Sequence, residues 1–216
     1  MTKPKLIVTL CGYVILIYIF ILLPQNLYTP TRYFNLPGIL WFVHLILLYI
    51  HEAGHLFFSV FGKTIGILGG SLNQILAPLV WFIVAKREAS SLSSVALFFT
   101  GVSVVDVSIY VKDAELLLLP LIGGLSKAHH DWKNLLSGWD IIDWSFPIGE
   151  FLFWSGMMLA GVGLFGGIKN AITEYRAGRC LSGKKIITLP NFFFGVHQYH
   201  NSVCHGVSLR SILRIG

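Results

Sequence analysis

A His-Glu-x-x-His pattern inside an unbroken apolar run constrains this chain more than any other feature. The pattern is His51-Glu52-Ala53-Gly54-His55, with Leu45-Ile46-Leu47-Leu48-Tyr49-Ile50 before it and Leu56-Phe57-Phe58 after it. Residues four apart on a helix share a face, so His51 and His55 can grip one metal ion together. Glu52 lies beside them, placed to act on a water molecule as general base. The competing reading makes all three side chains buried polar groups that bond to neighbouring helices. Two imidazoles and a carboxylate are costly in hydrocarbon and seldom occur there without a function. A metal site with hydrolytic chemistry is therefore the leading expectation.

Composition sets the surroundings. Of 216 residues, 12% are charged, about half the share of a soluble domain, and the mean hydropathy is +0.72. The expected fold is all-α: a polytopic transmembrane helical bundle of about five spans. The spans are read at 6–23, 39–61, 65–85, 92–111 and 147–168, near the roughly 17 to 25 residues that cross a bilayer. The first follows Lys3 and Lys5 and is closed by Pro24. No small-residue cleavage site follows it, so it reads as a retained helix rather than a signal peptide. The segment 116–124 is too short to cross and contains Pro120, which suits a re-entrant or interfacial stretch. This divides the chain into a transmembrane domain, 1–172, and a basic tail, 173–216.

The net charge of +6 is carried mostly between and after the apolar runs, as at a membrane surface. It suggests a lipid bilayer as partner, and no nucleic acid. The charge rule gives only a weak preference for a cytosolic tail, because long tails count less. Cys11, Cys180 and Cys204 are too few and scattered for a disulfide framework. His197, His200, Cys204 and His205 match no familiar zinc spacing and read as a solvated tail.

Other polar residues sit at membrane depth. His44 lies on the same stripe as Leu48, His51 and His55; it is a further ligand or, more simply, bonded to a neighbouring helix. Gly69-Gly70-Ser71 allows close backbone approach, and Asn73 and Gln74 bring amides that could serve an oxyanion or bond between helices. Ser103, Asp106, Tyr110 and Asp113 recur at helical spacing; Asp106 is deep, whereas Asp113 is expected near water. His129, His130 and Asp131 read as a solvated loop or as a loop returning to the metal. Gly156 and Ala160 are spaced for a close helix contact, and Glu150 is expected at the interface.

Taken in order, these motifs resemble the site-2 protease family of intramembrane zinc metalloproteases, in particular a compact bacterial, peptidase-like branch. The resemblance covers roughly residues 39–140 and rests on His51 to His55, Gly69-Gly70-Ser71 with Gln74, the helix of Asp106 to Asp113, Leu121-Ile122-Gly123-Gly124, and His130-Asp131-Trp132. It implies zinc held by His51 and His55, Glu52 as catalytic base, a membrane-protein substrate and a bacterial cell-membrane location. The family's third ligand is an aspartate followed by glycine. No aspartate here precedes glycine, so the third ligand stays open: Asp106 as the deepest carboxylate, with Asp113, Asp131 and His130 as alternatives. Asn73 or Gln74 would stabilise the oxyanion. Two other classes compete: a non-catalytic metal-binding or regulatory protein of the same fold, and a metal transporter, which the lack of a visible inverted repeat disfavours.

Overall fold

Where water is absent, a chain can satisfy its backbone within one segment only as a helix, and each of the five expected spans is helical over most of its length. The computed structural model describes residues 2–121, 124 and 126–182, the side chains of 179–182 excepted. Its helices are α1 (Lys3–Asn26), α2 (Gly38–Phe58), α3 (Lys63–Arg87), α4 (Ser93–Leu116), the short α5 (Asp131–Gly138) and the long α6 (Ser145–Ser182). Five are long and apolar enough to cross a membrane; α5 is not. Large apolar side chains stand exposed along the outside, among them Val8, Phe42, Leu56, Phe151 and Phe165. That surface suits hydrocarbon rather than water.

The ends follow local chemistry. Pro4 sits in the first turn of α1, where its missing N–H costs nothing. Lys86 and Arg87 fill the last turn of α3, opposite in sign to the helix dipole there. Gly62 takes φ 101° between α2 and α3, a conformation that favours glycine. Pro24, expected to close the first span, lies inside α1, which continues to Asn26. There Asn26 Nδ2 donates to the Leu22 carbonyl.

The centre of the bundle is α4, most of whose residues are buried. It lies between α3 and α6. On the α6 side the helices run antiparallel with backbones nearly touching: a Cβ at Gly156 would stand 2.7 Å from the Gly101 oxygen and 2.8 Å from the Val105 nitrogen. Ala160 meets Gly101 from the same face, as the small-residue spacing leads one to expect. About two turns from this contact, Lys112 Nζ bonds Glu150 and the Tyr28 carbonyl beneath the Tyr28 and Phe153 rings. Glu150 therefore belongs to a largely buried ion pair rather than to a simple interfacial position.

The helix α6 runs on to Ser182, past residue 172 where the transmembrane domain is expected to end. One expectation needs correction. Asp113, expected near water, is fully buried, because the chain doubles back over the end of α4. Leu117 turns with φ 53°, and the two Asp113 oxygens accept from the Leu118 and Leu119 N–H groups at 2.7 and 3.1 Å. Residues 117–121 of the anticipated re-entrant segment are non-helical, and Leu119 is in the core. Ile122 and Gly123 lie outside the described residues, as do His197, His200, Cys204 and His205.

Candidate metal centre

The site starts from one turn of α2. His51 and His55 stack there edge to face with ring centroids 4.8 Å apart. The antiparallel helix α3 reaches them because glycine meets glycine: a Cβ at Gly54 would collide with the Gly69 carbonyl oxygen and stand 2.6 Å from Asn73 Cβ. One residue on, a Cβ at Gly70 would lie 2.6 Å from His51 Nε2 and 2.7 Å from His55 Nε2. The space in front of both nitrogens exists because residue 70 has no side chain.

A carboxylate closes that space from the other side. Asp131, the first residue of α5, places Oδ2 3.1 Å from His51 Nε2 and 3.2 Å from His55 Nε2. His130 caps α5 by accepting from Lys133 N–H through Nδ1. Its buried Nε2 lies 3.4 Å from Asp113 Oδ2 without a hydrogen bond. Trp132 donates from Nε1 to Ser71 Oγ on α3 at 3.0 Å. Residues on both sides of Asp131 thus tie it down.

The far sides of the imidazoles fix their tautomers. His55 Nδ1 is 2.9 Å from the Gly66 carbonyl, which can only accept, so Nδ1 carries the proton. His51 Nδ1 is 3.0 Å from Gln74 Oε1, and the Gln74 amide is oriented by its own donation to Asp106 Oδ2 at 2.8 Å. Both Nε2 atoms are thereby aimed at one carboxylate oxygen, able to bond it through a proton or, deprotonated, to present lone pairs to a metal ion. Such an arrangement requires positive charge between them, either protons or a metal ion. Ligand bonds of about 2.0 to 2.2 Å in a tetrahedral site put neighbouring donors about 3.3 to 3.5 Å apart. The observed separations fall a few tenths of an ångström short of that.

His51, Glu52 and His55 could hold a metal ion, with ligand atoms all within 4.8 Å of one another. Glu52 is exposed, and these residues line a cavity of about 240 Å³ with Leu48, Tyr110 and Trp132. Burial pushes the Asp131 carboxyl up, but hydrogen bonds from His51 and His55 outweigh it and hold the group down at about 2.

Asp106 does not face the imidazole pair. Its Oδ1 lies 2.7 Å from His44 Nδ1 and its Oδ2 takes the Gln74 amide. Gln74 bridges Asp106 and His51, whereas Asp131, one of the alternatives to Asp106, contacts both imidazoles directly. His44 is bonded to a neighbouring helix, the simpler of its two readings, and its ring lies parallel to Tyr110 at 6.2 Å. Of the two readings of the Asn73 and Gln74 amides, bonding between helices is the one seen. Asn73 donates to the Ile50 carbonyl at 2.7 Å, and both ends of the Gln74 amide are engaged. The loop of Asp131 does return to the site, the sharper of the two sequence readings. The Lys112–Glu150 pair has no signal in the sequence, since nothing in the spacing connects residues on different helices.

Compared with protein-family models, curated proteins and solved structures, the chain matches none. The functional reading rests on the geometry.

Proposed function

We propose that the protein is an intramembrane zinc metallopeptidase, with His51, His55 and Asp131 as metal ligands and Glu52 as general base. The observation that carries this reading is the convergence of two imidazole Nε2 atoms and a carboxylate oxygen on a space kept open by Gly70. Two imidazoles and one carboxylate suit zinc. Three protein ligands leave a fourth position open, as in catalytic rather than structural sites. When bound, zinc would polarise a carbonyl and make water nucleophilic near neutral pH.

The remaining chemistry belongs to the chain. Glu52 follows the first ligand directly and faces the cavity, where it takes the proton of the attacking water and returns it to the leaving amine. Gln74 and Gly66 hold the imidazoles in the ligating tautomer. Leu48 and Val107 supply apolar cavity wall, and the apolar flanks of α2 imply a substrate segment drawn from the bilayer. A bacterial cell membrane is the setting that the family resemblance implies.

One observation favours the second reading, a metal-binding protein without turnover: the amides of Asn73 and Gln74 are engaged elsewhere. The test is zinc-loaded protein in vesicles mixed with a panel of transmembrane peptides, with products read by mass spectrometry. Cleavage by the parent and none by Glu52→Gln supports the peptidase. Bound zinc with no cleavage of any peptide favours the metal-binding reading.

A further inference from the structure

The two imidazoles are oriented by unlike partners. His55 faces a backbone carbonyl, which can only accept. His51 faces a side-chain amide, which could present either its oxygen or its nitrogen. An amide turned the other way would donate to His51 Nδ1, move the ring proton to Nε2 and remove the lone pair from the ligating position. What prevents this lies further back. Gln74 Nε2 donates to Asp106 Oδ2 at 2.8 Å, and His44 Nδ1 meets Asp106 Oδ1 at 2.7 Å. An ionised carboxylate only accepts, so it draws the amide nitrogen and turns Oε1 toward His51. Asp106 and His44 are both buried, and Ser103 Oγ donates to the Gln74 backbone carbonyl at 2.7 Å, fixing α3 against α4 at this level.

We propose that Gln74, Asp106 and His44 are positioning residues of the metal centre: a hydrogen-bonded relay, anchored on an acceptor-only carboxylate, that sets the tautomer of His51. This rests on the metal reading above and goes beyond it. A carboxylate that touches neither ligating imidazole controls one of them, and it acts only through Gln74.

The test is zinc affinity, measured by competition with a chelator on detergent-purified full chain. Gln74→Met and Asp106→Leu should each weaken zinc about tenfold or more, the range for partners of ligating histidines. The double variant should bind no more weakly than the weaker single, because the two act as one unit. Asp106→Asn still offers Gln74 an oxygen, so it should stay within about threefold of the parent. A lost ligand would instead abolish binding. The relay is overturned if Gln74→Met or Asp106→Leu binds like the parent, if the double variant multiplies the two losses, or if Asp106→Asn loses zinc outright. Should Asp106→Leu fail to fold, Gln74→Met and Asp106→Asn still decide. A folded parent without zinc ends both this proposal and the metal reading, whereas a parent that binds zinc with insensitive variants ends the relay alone.

Discussion

Asp131 Oδ2 lies 3.1 Å from His51 Nε2 across a sequence separation of 80 residues, a hydrogen-bond distance. It falls a few tenths of an ångström short of the spacing of neighbouring zinc ligands, so a bound zinc ion would take the place of the positive charge that protons supply between these atoms.

If Asp131 is a ligand, Asp131→Ala should reduce zinc affinity by roughly a hundredfold or more, beyond the 10- to 100-fold cost of losing an outer partner. Chelator competition measures this. Asp131→Ala binding like the parent would remove it from the ligand set.

Gly70 gives a steric test that leaves every ligand in place. A methyl group there would sit 2.6 Å from His51 Nε2 and 2.7 Å from His55 Nε2, in the metal's position. Gly70→Ala should therefore abolish zinc binding. Gly138→Ala, where a Cβ meets nothing within 4 Å, should leave it unchanged. Metal analysis of the two purified variants decides between them.

Proton traffic follows from Asp131. Its carboxyl is held at about 2 against an ordinary 3.8, so near neutral pH Asp131 is a carboxylate and any proton between the metal-free donors is not its own. Zinc must displace such protons. Calorimetry in buffers of different ionisation enthalpy should show about one to two protons released per zinc, and affinity should fall on acidification. Because Asp131 is depressed in the folded protein, it stabilises the metal-free form above about pH 4, and that contribution is lost as pH falls through about 2. Asp131→Asn should flatten this acid limb in a thermal-denaturation series.

The fold has its own test. Lys112 has no exposed side-chain surface and pairs with Glu150. Glu150→Gln would leave that ammonium buried without its carboxylate, at a cost of about 3 kcal/mol or more. A clear drop in the denaturation midpoint with zinc stoichiometry intact is the expected result. An unchanged midpoint would mean the pair contributes little to stability.

Glu52 separates binding from chemistry. Glu52→Gln should retain zinc while lowering peptide cleavage by about 10²- to 10⁴-fold, the usual worth of a general base. Cleavage at the parental rate would assign the base elsewhere.

Much of this was legible in the sequence because it is local. Apolar run length predicts five long helices, and the described residues hold five that could cross a membrane. The His51 to His55 spacing places both rings on one face, and small residues at Gly156 and Ala160 mark the contact with α4. What could not be read depends on which helix lies behind which. Depth along an apolar run pointed to Asp106 as the third ligand. Depth does not reveal that Gln74 intervenes, nor that the end of α4 is covered by a chain that carries Asp131 back to the pair. The one available signal was the clustering of His130, Asp131 and Trp132: each of the three makes a contact that fixes this return.

The most direct test of the central claim is the zinc content of the detergent-purified protein beside a His51→Ala, His55→Ala double variant. Stoichiometric zinc in the parent and none in the variant is the result expected of a centre built on His51, His55 and Asp131. A folded parent without zinc, or equal zinc in both proteins, would contradict it.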